Sequence, residues 1–288
     1  MDEVRPDKPS WRRRLREKLR PPVVVALRVS GVIKPLTGPG RGGVSHQALE
    51  PLIKTAFKTR GAVAVALYIN SPGGSPVQSK LIVAAIRREA EKSGLPVFAF
   101  AEDVAASGGY MIALAADEIY ADASSIVGSI GVISAGFGFH ELIARHGVER
   151  RVHAAGESKS QLDPFRQENP DDVRRLEAIL SDIHRDFIDM VKISRGERLK
   201  PAEDVYSGAF WTAHGARERG LIDGVGHADE VLRKRFGDAV RIKVIEARAP
   251  MFQRLLGTKA AGIAESPVDV GRMIAEAEAA ALWSRYGL

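Results

Sequence analysis

The chain has 288 residues, of which 45% are hydrophobic and 27% charged, a composition typical of a globular protein with a core of normal size. It contains no cysteine, which excludes disulfides, thiolate zinc sites, iron–sulfur clusters and a cysteine nucleophile. Of the net charge of +6, residues 1–20 contribute +4, so the rest of the chain is nearly neutral. A nearly neutral body argues against a broad nucleic-acid-binding face, and we expect no nucleic-acid partner.

The first segment, residues 1–20, is basic and contains a short helical pattern. Within residues 10–20, Trp11, Leu15 and Leu19 recur every four residues and therefore share one face of a helix. Such a helix can lie on an anionic membrane surface, and a solvated extension is the alternative. No apolar signal-peptide core follows, and no stretch approaches the ~18 apolar residues of a membrane span. We therefore predict a cytoplasmic protein, which the membrane-bound form of this helix would make peripheral on the inner face of the membrane and the solvated form would not.

Beyond this segment, strand and helix patterns alternate along the chain. Runs rich in β-branched residues predict strands, and apolar residues at helical period predict helices. The predicted strands cover residues 23–32, 63–70, 95–102, 117–121, 149–153 and 240–245. The predicted helices cover residues 45–57, 77–92, 107–115, 139–146, 169–195, 212–219 and 227–236. Strands separated by helices predict an α/β fold with mainly parallel pairing.

A glycine-rich stretch, GPGRGG at residues 38–43, has the glycine spacing of a dinucleotide-binding loop. The preceding strand ends well before these glycines. The next predicted strand ends in Asn-Ser, where an acidic residue would bind a ribose hydroxyl. We therefore predict a mobile loop here and no nucleotide cofactor.

The sequence NSPGGS, residues 70–75, follows a strand that we predict to be buried. Its paired glycines, Gly73 and Gly74, let the backbone turn tightly and direct amide groups outward. Two such amides can stabilise the oxyanion that develops during acyl transfer. An ordinary Pro-Gly turn is the alternative.

The sequence AASGGY, residues 105–110, lies between a predicted strand and a predicted helix. Small residues flank Ser107, so a peptide backbone could approach its hydroxyl closely. At the start of a helix, the dipole and the free amide of Gly108 would favour an oxyanion. A helix-capping serine is the alternative, and the G-x-S-x-G motif of α/β-hydrolases is absent.

The sequence GESKSQLDPF, residues 156–165, contains Lys159, the only lysine between Lys92 and Lys192. A lysine can serve as the base for a serine nucleophile when burial removes its solvation. A solvated surface lysine is the alternative. The seven histidines show neither an identifiable Asp partner nor the spacing of a zinc-protease motif, so no pattern supports a Ser-His-Asp triad.

Taken together, these segments resemble the signal peptide peptidase A, or protease IV, family of Ser–Lys serine proteases. The resemblance extends from about residue 23 to residue 245. The motifs that carry it are NSPGG at 70–74, SGGY at 107–110, VGSIGVI at 127–133, K-x-x-x-x-P-F at 159–165 and GLID at 220–223. Each motif is weak alone, whereas all five in this order are specific.

The resemblance implies a Clp-protease/crotonase-like spiral of β-β-α units with a mainly parallel sheet. It also implies a Ser–Lys protease catalytic domain at 21–249. Outside this domain, composition and patterning predict a basic N-terminal segment at 1–20 and, at 250–288, a linker over 250–266 followed by a C-terminal helix over 267–283.

The resemblance further implies roles for individual residues. Ser107 matches the nucleophile, Lys159 the general base, and Ser129 the serine that orients the lysine amine. The oxyanion hole would consist of backbone amides of Gly73 or Gly74 together with that of Gly108.

What the resemblance implies about partners is equally specific. It implies no cofactor and no metal. The expected substrates are hydrophobic or extended peptides and proteins, such as signal-peptide remnants. The expected assembly is a homo-oligomeric ring, in which Lys159 would act in its own subunit or in a neighbour.

Two other functions stay open from the sequence. A crotonase-type acyl-CoA hydratase or isomerase would share the fold and its paired amides, but typically uses acidic catalytic residues. An inactive relative could act as a scaffold at a membrane surface. Because Ser107, Lys159 and Ser129 are all present, the sequence favours a serine endopeptidase.

Overall fold

The computed structural model describes residues 21–36, 43–245, 277 and 279–287. The predicted basic helix at 10–20 and linker at 250–266 lie outside the described residues, as do most of the glycine-rich stretch and most of the predicted terminal helix at 267–283. Of that terminal helix, residues 277 and 279–284 are described and are helical. In the described part of the chain, no helix has the length and apolar character needed to cross a membrane.

The described strands form one sheet in which nearly all pairs are parallel. The sheet order is β6-β5-β3-β2-β1-β8, with β4 pairing beside β3 and β7 beside β4. Only the β5–β6 pair is antiparallel among the described strands. This arrangement confirms the predicted α/β class. The strands are β1 Val23–Ser30, β2 Ala62–Ser71, β3 Val97–Ala106, β4 Glu118–Ala121, β5 Ile126–Gly128, β6 Phe210–Thr212, β7 Gly224–Val225 and β8 Arg241–Ile245.

The described helices agree with the predicted ones to within two residues at each end. Local signals explain this agreement, because the side chains of Ser45, Ser75 and Asn169 each accept a hydrogen bond from a first-turn amide. Proline in the first turn also starts two of the helices. The helices are α1 His46–Phe57, α2 Pro76–Ser93, α3 Gly108–Ala113, α4 His140–Arg145, α5 Pro170–Arg195, α6 Ala213–Glu218 and α7 Ala228–Phe236, with a 3₁₀ turn at Gly196–Arg198.

Strand β3 pairs with two different strands along its length. Its residues 98–101 pair with β4, whereas its residues 104–106 pair with β5. The chain also bends after β1, where Ile33 forms a parallel bridge with Gly74 beyond the end of β2. A long strand, a short second strand and a helix thus form the repeating unit, which agrees with the predicted β-β-α spiral.

The core lies mainly on one face of the sheet, between β1–β3 and helices α1, α2 and α3. Part of α5 covers the same face through the buried side chains of Phe187 and Val191. Every residue of α3 is buried. A six-residue helix has little stability of its own, so this burial is what holds α3 at the end of β3.

The segment from residue 131 to residue 169 differs from the rest of the body, because none of its residues is buried. The strand predicted at 149–153 is wrong: these residues have no regular structure and pair with no strand. Val152 is the only apolar residue among the five, so the segment has no apolar face to bury. A strand without a partner is also not stable.

A buried ion pair joins the end of α5 to the GLID turn. The guanidinium of Arg195, which is 1% exposed, donates two hydrogen bonds of 2.9 Å to the carboxylate of Asp223. Asp223 also accepts a bond of 2.7 Å from the Ile119 amide in β4. Although burial alone would raise the pKa of Asp223, the hydrogen bond from Arg195 lowers that pKa below its ordinary value.

The GLID turn also contacts α3. The buried hydroxyl of Tyr110 donates a hydrogen bond of 2.7 Å to the carbonyl of Leu221. Burial raises the pKa of Tyr110, so its hydroxyl keeps the proton that it donates. One turn of the chain therefore holds α3, β4 and α5 together.

We predict that Asp223→Asn lowers the free energy of unfolding by about 3 kcal/mol, because the Arg195 guanidinium is then buried without a counter-charge. The folded pKa of Asp223 lies below that of an unfolded Asp, which is about 3.9. The wild-type advantage is therefore complete above that value and is lost as the pH falls through the folded pKa. Urea unfolding of the wild type and of Asp223→Asn, from neutral pH to below about pH 3.9, measures this difference in the free energy of unfolding.

The matched control is Asp186→Asn, which breaks an exposed ion pair with Lys80. We expect a much smaller loss there, since water screens exposed pairs. Equal losses for the two variants would contradict the role given to the buried pair.

Candidate active site

Ser107 lies between the end of β3 and the start of α3, with a backbone φ of 51° and ψ of −119°. A positive φ is strained for a residue other than glycine. Two hydrogen bonds hold this conformation. The amide of Ser107 donates to the Gly128 carbonyl at 2.8 Å, and its carbonyl accepts from the Met111 amide at 2.9 Å. Strain of this kind that the surrounding structure maintains is typical of functional sites.

The Ser107 side chain does not cap the helix that it precedes. It occupies the N-cap position of α3 but accepts no hydrogen bond there. Within the described residues its hydroxyl has no hydrogen-bond partner, and the residue is half-buried. Helix capping, the alternative role for this serine, therefore does not account for it.

The two glycines of the NSPGG turn are closely packed, Gly73 against Ser107 and Gly108 and Gly74 against Ile33. A Cβ at Gly73 would lie 2.8 Å from the Cβ of Ser107 and 2.9 Å from the Gly108 nitrogen. A Cβ at Gly74 would lie 2.0 Å from the carbonyl oxygen of Ile33. Both positions also have positive φ, 104° and 136°, so only glycine fits at either one.

The backbone amides of these glycines differ in their hydrogen bonding. The Gly73 amide donates to the hydroxyl of Ser71 at 3.2 Å, and that hydroxyl donates to the Gly31 carbonyl at 2.7 Å. In contrast, the amides of Gly74 and Gly108 have no acceptor in the described part of the chain. A Cβ on Gly108 would lie 3.4 Å from the Gly74 nitrogen, so these two amides are close together.

Ser129 lies next to this group. The β3–β5 register pairs Ala106 with Gly128, so Ser107 and Ser129 leave neighbouring strands at the same end. Ser129 is half-buried and also has a positive φ, 54°, and its amide donates to the Ala209 carbonyl at 2.7 Å.

Lys159 makes no hydrogen bond to either serine within the described part of the subunit. It lies in a turn of the exposed 131–169 segment, where its amide donates to the Gly156 carbonyl at 3.1 Å. Within the described ranges its ammonium forms no hydrogen bond and no ion pair, with Ser107, Ser129 or any other residue. A single subunit thus brings together the two serines and the glycine amides, but not the lysine.

The turn around Lys159 is nevertheless ordered by its own contacts. The ring of Phe165 stacks on that of Phe139 with centroids 5.6 Å apart. The carboxylate of Asp163 accepts a hydrogen bond of 3.1 Å from Arg150 and one of 3.0 Å from the Phe165 amide. The stacking on Phe139 gives the phenylalanine at the end of the K-x-x-x-x-P-F motif a structural role.

Sequence reasoning missed two residues that support the site. The Ser71 hydroxyl accepts a hydrogen bond from the amide of Gly73, and the Tyr110 hydroxyl donates one that joins α3 to the GLID turn. The signal for both was their place inside the NSPGG and SGGY motifs, but their partners are 40 and 111 residues away in the sequence.

A strained serine beside two free backbone amides is an arrangement that serine hydrolases use. The chain matches the family described as "Peptidase family S49" over residues 89–239, more than half of its length. The chain belongs to peptidase family S49.

Similar proteins include a putative protease of Synechocystis, 30% identical over 228 residues, with 77% of this chain and 81% of that protein covered. The chloroplastic serine protease SPPA of Arabidopsis thaliana is 34% identical over 199 residues, covering 69% of this chain and 29% of the relative. A Brucella abortus protein named Na(+)/H(+) antiporter NhaA is 50% identical over 247 residues, covering 82% of this chain and 33% of the relative.

This chain therefore spans about a third of the length of the Brucella and Arabidopsis relatives. The antiporter name describes that whole protein and does not pass to this chain. Among solved structures, a mutant form of the 1510-N membrane-bound stomatin-specific protease is similar with a TM-score of 0.48 and 17% identity, covering 79% of this chain and 99% of that one.

We predict that Ser107→Gly is more stable than Ser107→Ala by roughly 1 kcal/mol, because glycine relieves the positive φ and alanine does not. Urea unfolding of both variants measures the difference. The matched control is Ser79 in the interior of α2, where we expect the opposite order, since glycine destabilises a helix. Equal stability of the two Ser107 variants would contradict backbone strain at this position.

Proposed function

We propose that this chain is a serine endopeptidase with a Ser–Lys dyad, in which Ser107 is the nucleophile and Lys159 the general base. The proposal rests on one observation. Ser107 is half-buried, its hydroxyl does not cap helix α3, and the residue lies beside the amides of Gly74 and Gly108, which have no acceptor in the described part of the chain. Membership of peptidase family S49 supports a peptidase over a crotonase-type hydratase or isomerase and over an inactive scaffold.

The proposed reaction begins when the neutral amine of Lys159 accepts the proton of the Ser107 hydroxyl. The serine oxygen attacks the peptide carbonyl carbon, and the tetrahedral intermediate carries its negative charge on the former carbonyl oxygen. Collapse of the intermediate breaks the C–N bond, and the lysine ammonium protonates the leaving amine. Water, activated by the same lysine, then hydrolyses the acyl ester.

For the oxyanion hole we propose the amides of Gly74 and Gly108. Of the two candidates in the NSPGG turn, Gly74 is favoured because the Gly73 amide already donates to Ser71. Loss of a single oxyanion donor typically lowers the rate ~100- to 1,000-fold. The close packing of Gly73 against Ser107 would then fix the position of the nucleophile relative to the oxyanion hole.

We propose that Lys159 reaches Ser107 and Ser129 at a contact between subunits of a homo-oligomeric ring, with Ser129 orienting the amine. The 131–169 segment exposes large apolar side chains, among them Phe137 at 81%, Ile133 at 60% and Val148 at 55%. Exposed apolar surface of this kind favours a protein interface. A lysine base also has to lose its solvation, which a covering subunit would provide.

The proposed substrates are hydrophobic or extended peptides, such as signal-peptide remnants. Val77 and Leu81 support this class, because they lie one turn apart on α2, which begins two residues after Gly74, and are exposed at 64% and 43%. Exposed apolar side chains on the helix that follows the proposed oxyanion hole suit apolar peptide residues.

We also propose a cytoplasmic location, with residues 10–20 in contact with the anionic inner face of the membrane. The absence of cysteine suits a reducing compartment, and the basic residues suit anionic lipid. Binding of the full chain to vesicles that contain anionic lipid tests the membrane contact.

We predict that a fluorophosphonate probe labels the wild-type protein and fails to label Ser107→Ala. Lys159→Ala should be labelled at least ~100-fold more slowly, because the serine then lacks its general base. Lys200→Ala, which removes another exposed lysine, is the control and should be labelled at the wild-type rate. Full labelling of Ser107→Ala would refute the nucleophile.

We predict that co-expressed Ser107→Ala and Lys159→Ala subunits regain peptidase activity, although each variant alone is inactive. Random assembly joins an intact serine to a neighbour's intact lysine in about a quarter of the sites of a symmetric ring. Activity that stays absent in the mixed assembly, while the wild type is active, would show that the lysine acts within its own subunit. That result would leave the dyad itself intact.

A further inference from the structure

One edge of the sheet carries exposed cations that lack acidic partners. We call this group, Lys58, Arg60, Arg241 and Lys243, the basic edge. Across the described ranges, none of the four forms an ion pair. Many other cations of the body do, such as Arg28 with Glu102 and Arg87 with Asp117. Positive charge on the basic edge is therefore not neutralised by the protein.

The fold places these cations on one face. Lys58 follows the last residue of α1, and Arg60 lies just before β2. Strand β8 is outermost in the sheet, and its register sets Arg241 opposite Val23 and Lys243 opposite Val25. Because paired residues of parallel strands point to the same side, both cations point to the face that α1 covers.

A shallow cavity of about 560 Å³ lies within the basic edge. No acidic side chain lines it. Lys54, one of its lining residues, is paired with Glu50. The lining residues are Lys54, Thr55, Lys58, Thr59, Arg60 and Lys243.

The chain enters the body at this same edge. The Arg241 amide donates a hydrogen bond of 2.9 Å to the carbonyl of Pro22, two residues after the basic segment 1–20. That segment contributes +4 of the net charge and carries the apolar residues Trp11, Leu15 and Leu19. The basic edge of the body is therefore adjacent in the chain to a second basic segment that also contains large apolar residues.

We propose that the basic edge binds the anionic surface of a lipid membrane. Its charge is complementary to anionic headgroups, and the apolar residues Trp11, Leu15 and Leu19 of the adjoining segment suit lipid rather than nucleic acid. The inference does not rest on the proposed peptidase activity, since it uses none of the residues placed in the active site.

The proposal sets the orientation of the active site. Arg60 and Arg241 lie at the beginning of β2 and β8, whereas Gly73, Ser107 and Ser129 follow the ends of β2, β3 and β5. A strand of ten residues spans about 33 Å. The nucleophile would therefore lie roughly 30 Å from the bound lipid and open away from it.

The test is binding of the full chain to vesicles made of equal parts of phosphatidylcholine and phosphatidylglycerol. The variant Lys58→Gln/Arg60→Gln/Lys243→Gln removes three cations of the basic edge. Each cation near an anionic surface strengthens binding about fivefold, so we expect the partition coefficient to fall about 100-fold. Thermal unfolding at the wild-type temperature would show that the variant is folded.

The matched control, Arg166→Gln/Arg217→Gln/Arg285→Gln, removes three exposed arginines far from β8. It has the same net charge as the test variant, and we expect binding within about twofold of wild type, because salt screens distant charges. Equal losses in the two variants would overturn the proposal, since net charge alone would then explain binding. Undiminished binding by the test variant would also overturn it and assign the membrane contact to residues 1–20 alone.

Two further measurements complete the test. Vesicles of phosphatidylcholine alone should bind the wild type far more weakly, and equal binding would overturn the electrostatic basis of the proposal. Duplex DNA should not compete with the anionic vesicles. Tighter binding of DNA through the same three residues would replace the membrane with a nucleic acid as the partner.

Discussion

The strained backbone of Ser107 is the constraint on which the rest of the site depends. Its φ of 51° persists because the Gly128 carbonyl holds its amide and α3 is buried behind it. Helix α3 is held in turn by the Tyr110–Leu221 hydrogen bond, and the turn containing Leu221 by the Arg195–Asp223 pair. Four sequence motifs that look independent, NSPGG, SGGY, VGSIGVI and GLID, are therefore one connected set of contacts around a single residue.

Much of the fold followed from local signals. Capping side chains at Ser45, Ser75 and Asn169 set the helix starts, and β-branched runs marked the central strands. Strand β3 was predicted to end at residue 102, but it continues to 106, because Asn70 pairs with the Asp103 carboxylate and the Val104 amide. In the sequence, the acidic residues at 102 and 103 suggested the end of a strand, but Asn70 hydrogen-bonds to Asp103 and the strand continues. The additional residues bring the end of β3 to Ser107.

The sequence alone predicts the site less well where the role of a residue depends on contacts with residues that are distant in the sequence. The candidate serine, glycines and lysine were chosen from motif chemistry, whereas the proposal of Gly74 over Gly73 rests on the hydroxyl of Ser71 and its bond to Gly31. The position of Lys159 relative to Ser107 could not be derived from spacing, because no residue of the 131–169 segment is buried, so no core packing sets the direction of the segment.

The exposure of Lys159 has a consequence for how such an enzyme is controlled. Under the proposed mechanism, a newly synthesised subunit has a prepared nucleophile and oxyanion hole but no usable base. Cleavage then requires a sufficient concentration of subunits, and a dissociated copy is harmless to surrounding polypeptides. Quaternary assembly would thus do the work that a removable propeptide does in many proteases, without any covalent change to the chain.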